Sequence, residues 1–480
     1  MGPYRQQFRT RLIAPILCVS KKQSDVVATR VSTQEEGVRM QSEIRFARPL
    51  ILTIAGISLL WPGAAFADQL DTGDTAWIIT ATALVLFMNI PGLAMFYGGL
   101  VRSKNVLSLF VQCFAITALV TVLWAVYGYS MAFDSTGMAA GKTGLSAFVG
   151  GFGKAFLSGV GPDTVSGTIP EVLFFVFQLT FAIITPALMV GAFAERMKFS
   201  AVMLFTALWV TVVYFPVAHM VWGGEGSYFG DMGVFDFAGG IVVHITAGFS
   251  ALATCILVGK RSGYPESLSP PHNIPMTMAG TAMLWVGWFG FNGGSALAAN
   301  GQAAMAVVVT QISPCLAALT WITIEWKRFG KPTAVGLATG AIAGLAAITP
   351  ASGNVGPIGA FVIGIASGGI CYWAAVVLKN KLGYDDSLDV VGVHGVGGLI
   401  GTILVAIFAS ASFGGSEAGL DIGNQLKVQL FAAIAVLVYS VALSYVLLKI
   451  VDAIVGLRVE GGEETTGLDL SSHGEAGYQS

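Results

Sequence analysis

Two histidines stand inside apolar runs long enough to cross a bilayer. The run "DFAGGIVVHITAGFSALATCILVG" occupies 236–259, and "DVVGVHGVGGLIGTILVAIF" occupies 389–408. Each opens on an aspartate, Asp236 or Asp389, adds glycines, carries His244 or His394, and continues in small and branched apolar residues. At about 1.5 Å of rise per residue, His244 lies about 12 Å beyond Asp236 and His394 about 7.5 Å beyond Asp389. Both depths are within hydrocarbon, where ionisable side chains are rare and face a cavity or a partner. A neutral imidazole offers one donor and one acceptor. Two facing imidazoles can therefore share a proton-bearing contact and line a path for a small polar molecule. Two other chemistries compete: a hydrogen bond from each ring to a neighbouring helix carbonyl, and bis-histidine haem ligation. Against haem, Gly392, Gly395, Gly397 and Gly398 crowd one histidine, no CxxCH occurs, and no basic cluster stands beside either ring.

Aromatic residues converge on the same path. "HMVWGGEG" places Trp222 where an apolar run ends, and "FQLTFAII" places Phe177 and Phe181 on one helix face at the i,i+4 spacing. "WFGFNGGSA" supplies Trp288, Phe291 and Ser295. Taken singly, each is explained as an interfacial belt residue. Meeting at one mouth, beside a serine and over a histidine pair, they suit a small cation. A desolvated cation over a ring gains about 2 kcal/mol. Carrying a charge to mid-bilayer costs about 2.5–3.5 kcal/mol on the insertion scale. Rings can thus collect a cation but barely offset its passage, and a cation that sheds a proton avoids the remaining cost.

The elements that must position these groups are membrane helices. Of 480 residues, 55% are hydrophobic and 11% charged, with a mean hydropathy of +0.74. Soluble domains carry about 25% charge, so the chain reads as an all-α polytopic membrane protein. A net charge of -2 without a basic patch gives no surface for nucleic acid. Eleven apolar segments follow Ala67, near 76–98, 106–128, 172–192, 200–220, 237–259, 275–296, 303–325, 333–350, 356–378, 390–411 and 427–450. With the N-terminus outside, the inner loops hold Arg102 and Lys104, Arg196 and Lys198, Lys260 and Arg261, Lys327, Arg328 and Lys331, then Lys379 and Lys381. Outer loops hold almost none beyond Lys142 and Lys154. That asymmetry predicts an N-out, C-in topology. "FYGG" at Phe96–Gly99 and "FNGG" at Phe291–Gly294 close spans one and six, and the histidine spans are the fifth and tenth. The pattern predicts two inverted five-helix repeats plus one extra helix, with the site between the repeats.

The flanks differ. "RPLILTIAGISLLWPGAAFADQ" has Arg45 and Arg48 before a short apolar core and Ala65-Phe66-Ala67 before Asp68. It reads as a signal peptide cleaved after Ala67, with Met40 as its expected start and 1–67 outside the fold argument. The membrane domain is expected over 68–455, and 456–480 reads by composition as a disordered polar tail carrying His473. The five cysteines, Cys18, Cys113, Cys255, Cys315 and Cys371, show no metal spacing. No metal or cofactor is expected, and no nucleophile–base set suggests an enzyme.

The stretches "PGLAMFYGGLVRSKNVLS", "GAFAERMKFSA", "PVAHMVWGG", "DFAGGIVVHI", "GWFGFNGGSA", "DVVGVHGVGG" and "GLDLSSHGEAGY" closely resemble the Amt branch of the Amt/Mep/Rh ammonium transporters. The resemblance runs from about Asp68 to Ser480, and Trp222 with Ser295 places it on the Amt side. It implies a homotrimer in the cell inner membrane with one pore per subunit. It implies that Trp222, Ser295 and Phe181 recruit ammonium outside, with Phe177 beside them. Phe181 and Phe291 would gate the pore, and His244, His394 and Trp288 would line it. Asp236 would be the carboxylate near the mouth, acting in structure or in proton handling. The tail would pack beneath the subunits, and a cytoplasmic PII signal protein would be the partner. An ammonium sensor working through such a partner is the alternative; sensor members often carry fused signalling domains, and the short stretch after the last span argues against fusion but not against sensing through a PII partner. Glu225 and Asp231, between Trp222 and Asp236, are expected to be solvated loop charges, though extra carboxylates there would raise the local cation concentration.

Overall fold

A computed structural model describes residues 70–267 and 269–478. The signal-peptide reading of 40–67 lies outside the described residues. Among those described, eleven long helices follow one another with little other structure. They are α1 (Thr72–Leu100), α2 (Ser103–Phe133), α3 (Glu171–Phe193), α4 (Phe199–Trp222), α5 (Gly240–Val258), α6 (Ile274–Gly294), α7 (Gly301–Phe329), α8 (Ala334–Ala351), α9 (Pro357–Leu382), α10 (Val391–Phe408) and α11 (Ile422–Val455). Ten are long and apolar enough to cross a membrane. In α6, glycines and two tryptophans lower the apolar content, and it packs lengthwise on α1.

That packing depends on small residues, which let membrane helices approach closely. A Cβ added at Gly280 would fall 2.2 Å from Phe96 N, and one at Gly290 2.7 Å from the Leu84 Cβ. Capping side chains fix where helices begin. Asp71, Asn273, Asn300, Thr333 and Asp421 each accept from a backbone N–H of the first turn, satisfying donors that a helix start leaves free. The long connection between α2 and α3 carries a two-residue hairpin, β1 (Val165–Ser166) against β2 (Ile169–Pro170).

Local two-fold symmetry is written in the contact between α5 and α10. An added Cβ at Gly248 would strike Gly395 N at 2.2 Å, and one at Gly398 would strike the His244 Cβ at 2.7 Å. Contacts that rise along α5 fall along α10, so the two helices run antiparallel. Both begin in a π-helical turn, Gly240–Ile245 and Val391–Gly395, with the histidine as its next-to-last residue. This is the inverted pair predicted for spans five and ten.

The tail departs from the disordered reading of its composition. It forms α12 (Gly461–Thr466) and α13 (Leu468–His473). Specific anchors hold it: Lys198 N donates to Leu457 O and Val459 N to Arg196 O, while Leu457 N donates to Asp452 Oδ1 at 3.1 Å. Leu468 N donates to Asn105 Oδ1 at 2.8 Å, and Ser108 N to Asp469 Oδ1 at 2.8 Å. Leu468 and Asp469 are buried. A polar segment with a few well-placed anchors docks on a preformed surface, which average composition does not reveal.

Candidate functional site

Asp236 starts the site. Its carboxylate accepts from Gly239 N (3.1 Å), Gly240 N (2.5 Å), Ile241 N (2.9 Å) and Val242 N (2.9 Å). Gly239 makes the turn possible with φ +110, a conformation glycine adopts without penalty. Burial pushes the Asp236 carboxyl up to about 6, opposed by these four N–H donors. Its backbone oxygen accepts from Trp222 Nε1 at 2.8 Å, so the cap of α5 also holds the ring at the end of α4.

From Trp222 a column of rings descends. Phe181 lies 5.8 Å from Trp222, edge-on at 83°. Phe291 lies 4.3 Å from Phe181, tilted by 37°, and His244 follows 6.3 Å from Phe291 at 29°. His394 is stacked 5.2 Å from His244 at 17°, with the two Nδ1 atoms 3.3 Å apart. One Nδ1 must donate and the other accept. Two neutral rings then turn one Nε2 donor and one Nε2 acceptor away from their contact. His244 Nε2 is buried without a protein partner. The pair bounds a cavity of about 10 Å³, barely the room one water needs.

Trp288 stacks on His244 at 5.6 Å and is held by Nε1 donating to Thr349 Oγ1 at 2.8 Å. Ser295 lies one turn beyond Phe291 and donates its hydroxyl to Phe291 O at 2.8 Å, leaving oxygen lone pairs free. Phe177 is fully buried, 5.1 Å edge-on to Phe181 and pressed against Gly294. It braces Phe181 from one side of the ring column.

The chain's 76–478 match the model of the Ammonium Transporter Family. The chain belongs to the ammonium transporter family. An ammonium transporter from Mycobacterium tuberculosis is 46% identical, covering 85% of this chain and 90% of that protein. Ammonium transporter Amt1 of Archaeoglobus fulgidus is also 46% identical, over 85% of this chain and all of its own length (100%). Among solved structures, Saccharomyces cerevisiae Mep2 aligns with a TM-score of 0.74 at 36% identity, over 82% of this chain and 89% of that one. A structure described as a sensor Amt protein aligns with a TM-score of 0.77 at 30% identity, over 84% and 98%. The molecule is a multi-pass membrane transporter of ammonium and not an enzyme.

Several residues of the transporter's site escaped the sequence reading. Asp389 does not cap α10: it pairs with Lys379 and takes φ +62, matching Gly239 in the other repeat. The counterpart of Asp236 is Asp386, which accepts from Val391 N at 2.8 Å. Asp-x7-His spacing, "DFAGGIVVH" beside "DSLDVVGVH", was the available signal. The helical count from Asp389 to His394 therefore started from the wrong carboxylate. Burial pushes Asp386 up to about 6, opposed by Lys379. Phe96 lines the cavity with Met88, Leu93, Ile184, Leu188 and Ile342. It is the repeat partner of Phe291, legible in "FYGG" against "FNGG". Asp231 is tied into its loop, accepting from Gly226 N at 2.7 Å and Gly141 N at 2.8 Å, and is not a free vestibule charge; Glu225 is exposed.

Proposed function

We propose that the transporter recruits ammonium at Trp222, Phe181 and Ser295, strips one proton near the Phe181–Phe291 gate, and passes ammonia along His244 and His394. The observation that carries this reading is the continuous column from Trp222 through Phe181 and Phe291 to the facing imidazoles. Rings attract a cation by about 2 kcal/mol, while mid-bilayer burial of a charge costs about 2.5–3.5 kcal/mol. The aromatic mouth therefore suits the ion and the apolar conduit suits the neutral molecule. Ser295, its proton given to Phe291 O, offers lone pairs to an N–H donor. The histidine pair offers ammonia a donor and an acceptor where water is excluded. Potassium can neither donate a hydrogen bond nor lose a proton, so the same path rejects it. Asp236 holds Trp222 and the start of α5 in place, and its cap supports a structural role.

In this reading the chain assembles as a homotrimer in the inner membrane, with its N-terminus periplasmic and its tail cytoplasmic, open to control by a PII signal protein. The arrangement of Lys and Arg among the loops supports the orientation. A second reading, an ammonium sensor, is favoured by the docked tail and by the similarity to the sensor Amt protein.

Ammonium-evoked current and internal pH in proteoliposomes test the reading, comparing the natural chain with His244→Ala and His394→Ala. Uptake lost in both variants, or turned into a potassium-permeable current, is the expected result. Ammonium-selective uptake unchanged in both would make the histidines structural. Absence of any flux in the natural chain would leave sensing as the function.

A further inference from the structure

On the face that carries the tail, the loops hold a polar pocket that the conduction path does not use. Arg102, Glu195, Arg261, Ser262, Ser267 and Ser269 line it. Glu195 organises the floor. Its Oε1 accepts from Arg102 N at 2.8 Å, Arg102 Nε at 2.9 Å and Asn105 Nδ2 at 2.8 Å, and its Oε2 lies 3.6 Å from Arg261 Nη1. Arg261 gives Nε and Nη2 to Asp385, at 3.0 and 2.7 Å. Both guanidinium groups are thus fixed, yet neither is consumed. Arg102 Nη2 is buried and has no partner, a costly condition for a charged donor. Three guanidinium groups, Arg102, Arg196 and Arg261, are gathered around the carboxylates of Glu195 and Asp385.

We propose that this pocket binds a phosphoryl anion, with Arg102 Nη2 and Arg261 Nη1 as its charged donors and the Ser262 and Ser269 hydroxyls as its neutral ones. Guanidinium forks match tetrahedral oxyanions in geometry and charge, and the hydroxyls complete a set that a single chloride would leave largely unused. The same anion is presented by soluble inorganic phosphate and by a phospholipid headgroup at the level of the helix ends. Its position has a consequence for the tail. Ser262 N donates to Glu464 Oε1 at 2.7 Å, and Arg458 Nη2 meets Glu464 Oε2 at 2.7 Å, so an occupant sits beside the tail's docking contact.

The test uses the full chain in phosphatidylcholine nanodiscs, following thermal unfolding as inorganic phosphate is added against chloride at matched ionic strength. A parallel arm, without phosphate, adds phosphatidylglycerol to the nanodisc. Ser269→Glu and Ser267→Glu place a carboxylate at the pocket while leaving the Arg102–Glu195 pair intact. Arg102→Lys keeps the charge but removes Nη2. A rise in the unfolding midpoint is expected in the natural chain, with the half-saturating concentration raised roughly tenfold or more in the variants, as for loss of a charge-assisted hydrogen bond. A response to phosphate alone assigns a soluble anion; a response to phosphatidylglycerol alone assigns a headgroup. No rise in the natural chain, or the same rise in all three variants, overturns the site.

Discussion

At the residue scale, the mouth and the cap separate cleanly. Trp222 is half-buried and contributes its ring face, so Trp222→Ala removes about 2 kcal/mol of cation attraction. That corresponds to roughly 30-fold weaker apparent ammonium affinity, with maximal flux little changed, as uptake against concentration would record. Asp236 behaves differently because it is buried and raised to about 6. An acid raised above its ordinary value near 3.9 contributes stability that is full below that value and lost as pH rises through its folded value. Thermal stability of the natural chain should therefore fall as pH rises from about 4 to the raised value, near 6. In Asp236→Asn that slope should flatten. The variant should also be less stable at every pH, because the amide turns an acceptor into a donor against Ile241 N and Val242 N. Leaving buried donors unpaired costs about 1–3 kcal/mol.

At the element scale, the histidines are presented by two π-helical turns that meet antiparallel through glycine. π-turns widen a helix locally and recur at functional sites; here each contains the histidine it delivers. The contact has no spare volume. Gly398→Ala drives a methyl to 2.7 Å from the His244 Cβ and 2.8 Å from Gly240 O, so overpacking of about 1–3 kcal/mol is expected, together with loss of uptake. Gly397→Ala meets nothing closer than the Ala346 Cβ at 3.5 Å and should transport normally. Measuring both variants separates helix propensity, which they share, from the crossing, which only one disturbs. The Asp386 result belongs to this scale as well. Both aspartates, Asp386 and Asp389, precede His394 in the sequence, and only the turn geometry decides which one caps.

At the scale of the whole molecule, one charged network joins loops, pore and tail. Arg196 is fully buried and gives hydrogen bonds to Gly259 O, Ser387 Oγ and Asp385 O at 2.7, 2.6 and 2.5 Å. Its backbone oxygen receives Val459 N from the tail. Asp385, whose carboxyl Arg261 holds below the usual range against the cost of burial, answers both arginines and adjoins the Asp386 cap of α10. Asp385→Asn leaves buried guanidinium charge uncompensated, which costs about 3–5 kcal/mol. A correspondingly lower unfolding midpoint, with the tail released to proteolysis, is the expected outcome. A midpoint within error of the natural chain would mean the network is dispensable.

What the residues alone determined was the architecture and the list of chemical groups. Apolar length and loop charge specify membrane helices because the bilayer constrains each segment separately. The two histidine spans announced a repeat because symmetry leaves paired motifs in sequence. Ring order was not accessible that way. That Phe181 meets Phe291, that Phe96 joins the conduit, and that the tail is docked all depend on side chains distant in sequence sharing one volume. The choice of Asp386 over Asp389 needed the backbone angles of a turn. Local composition carries the elements because each residue's transfer to lipid or water is decided by its own chemistry; the site exists only where α3, α4, α5, α6 and α10 come together, and that is decided by packing.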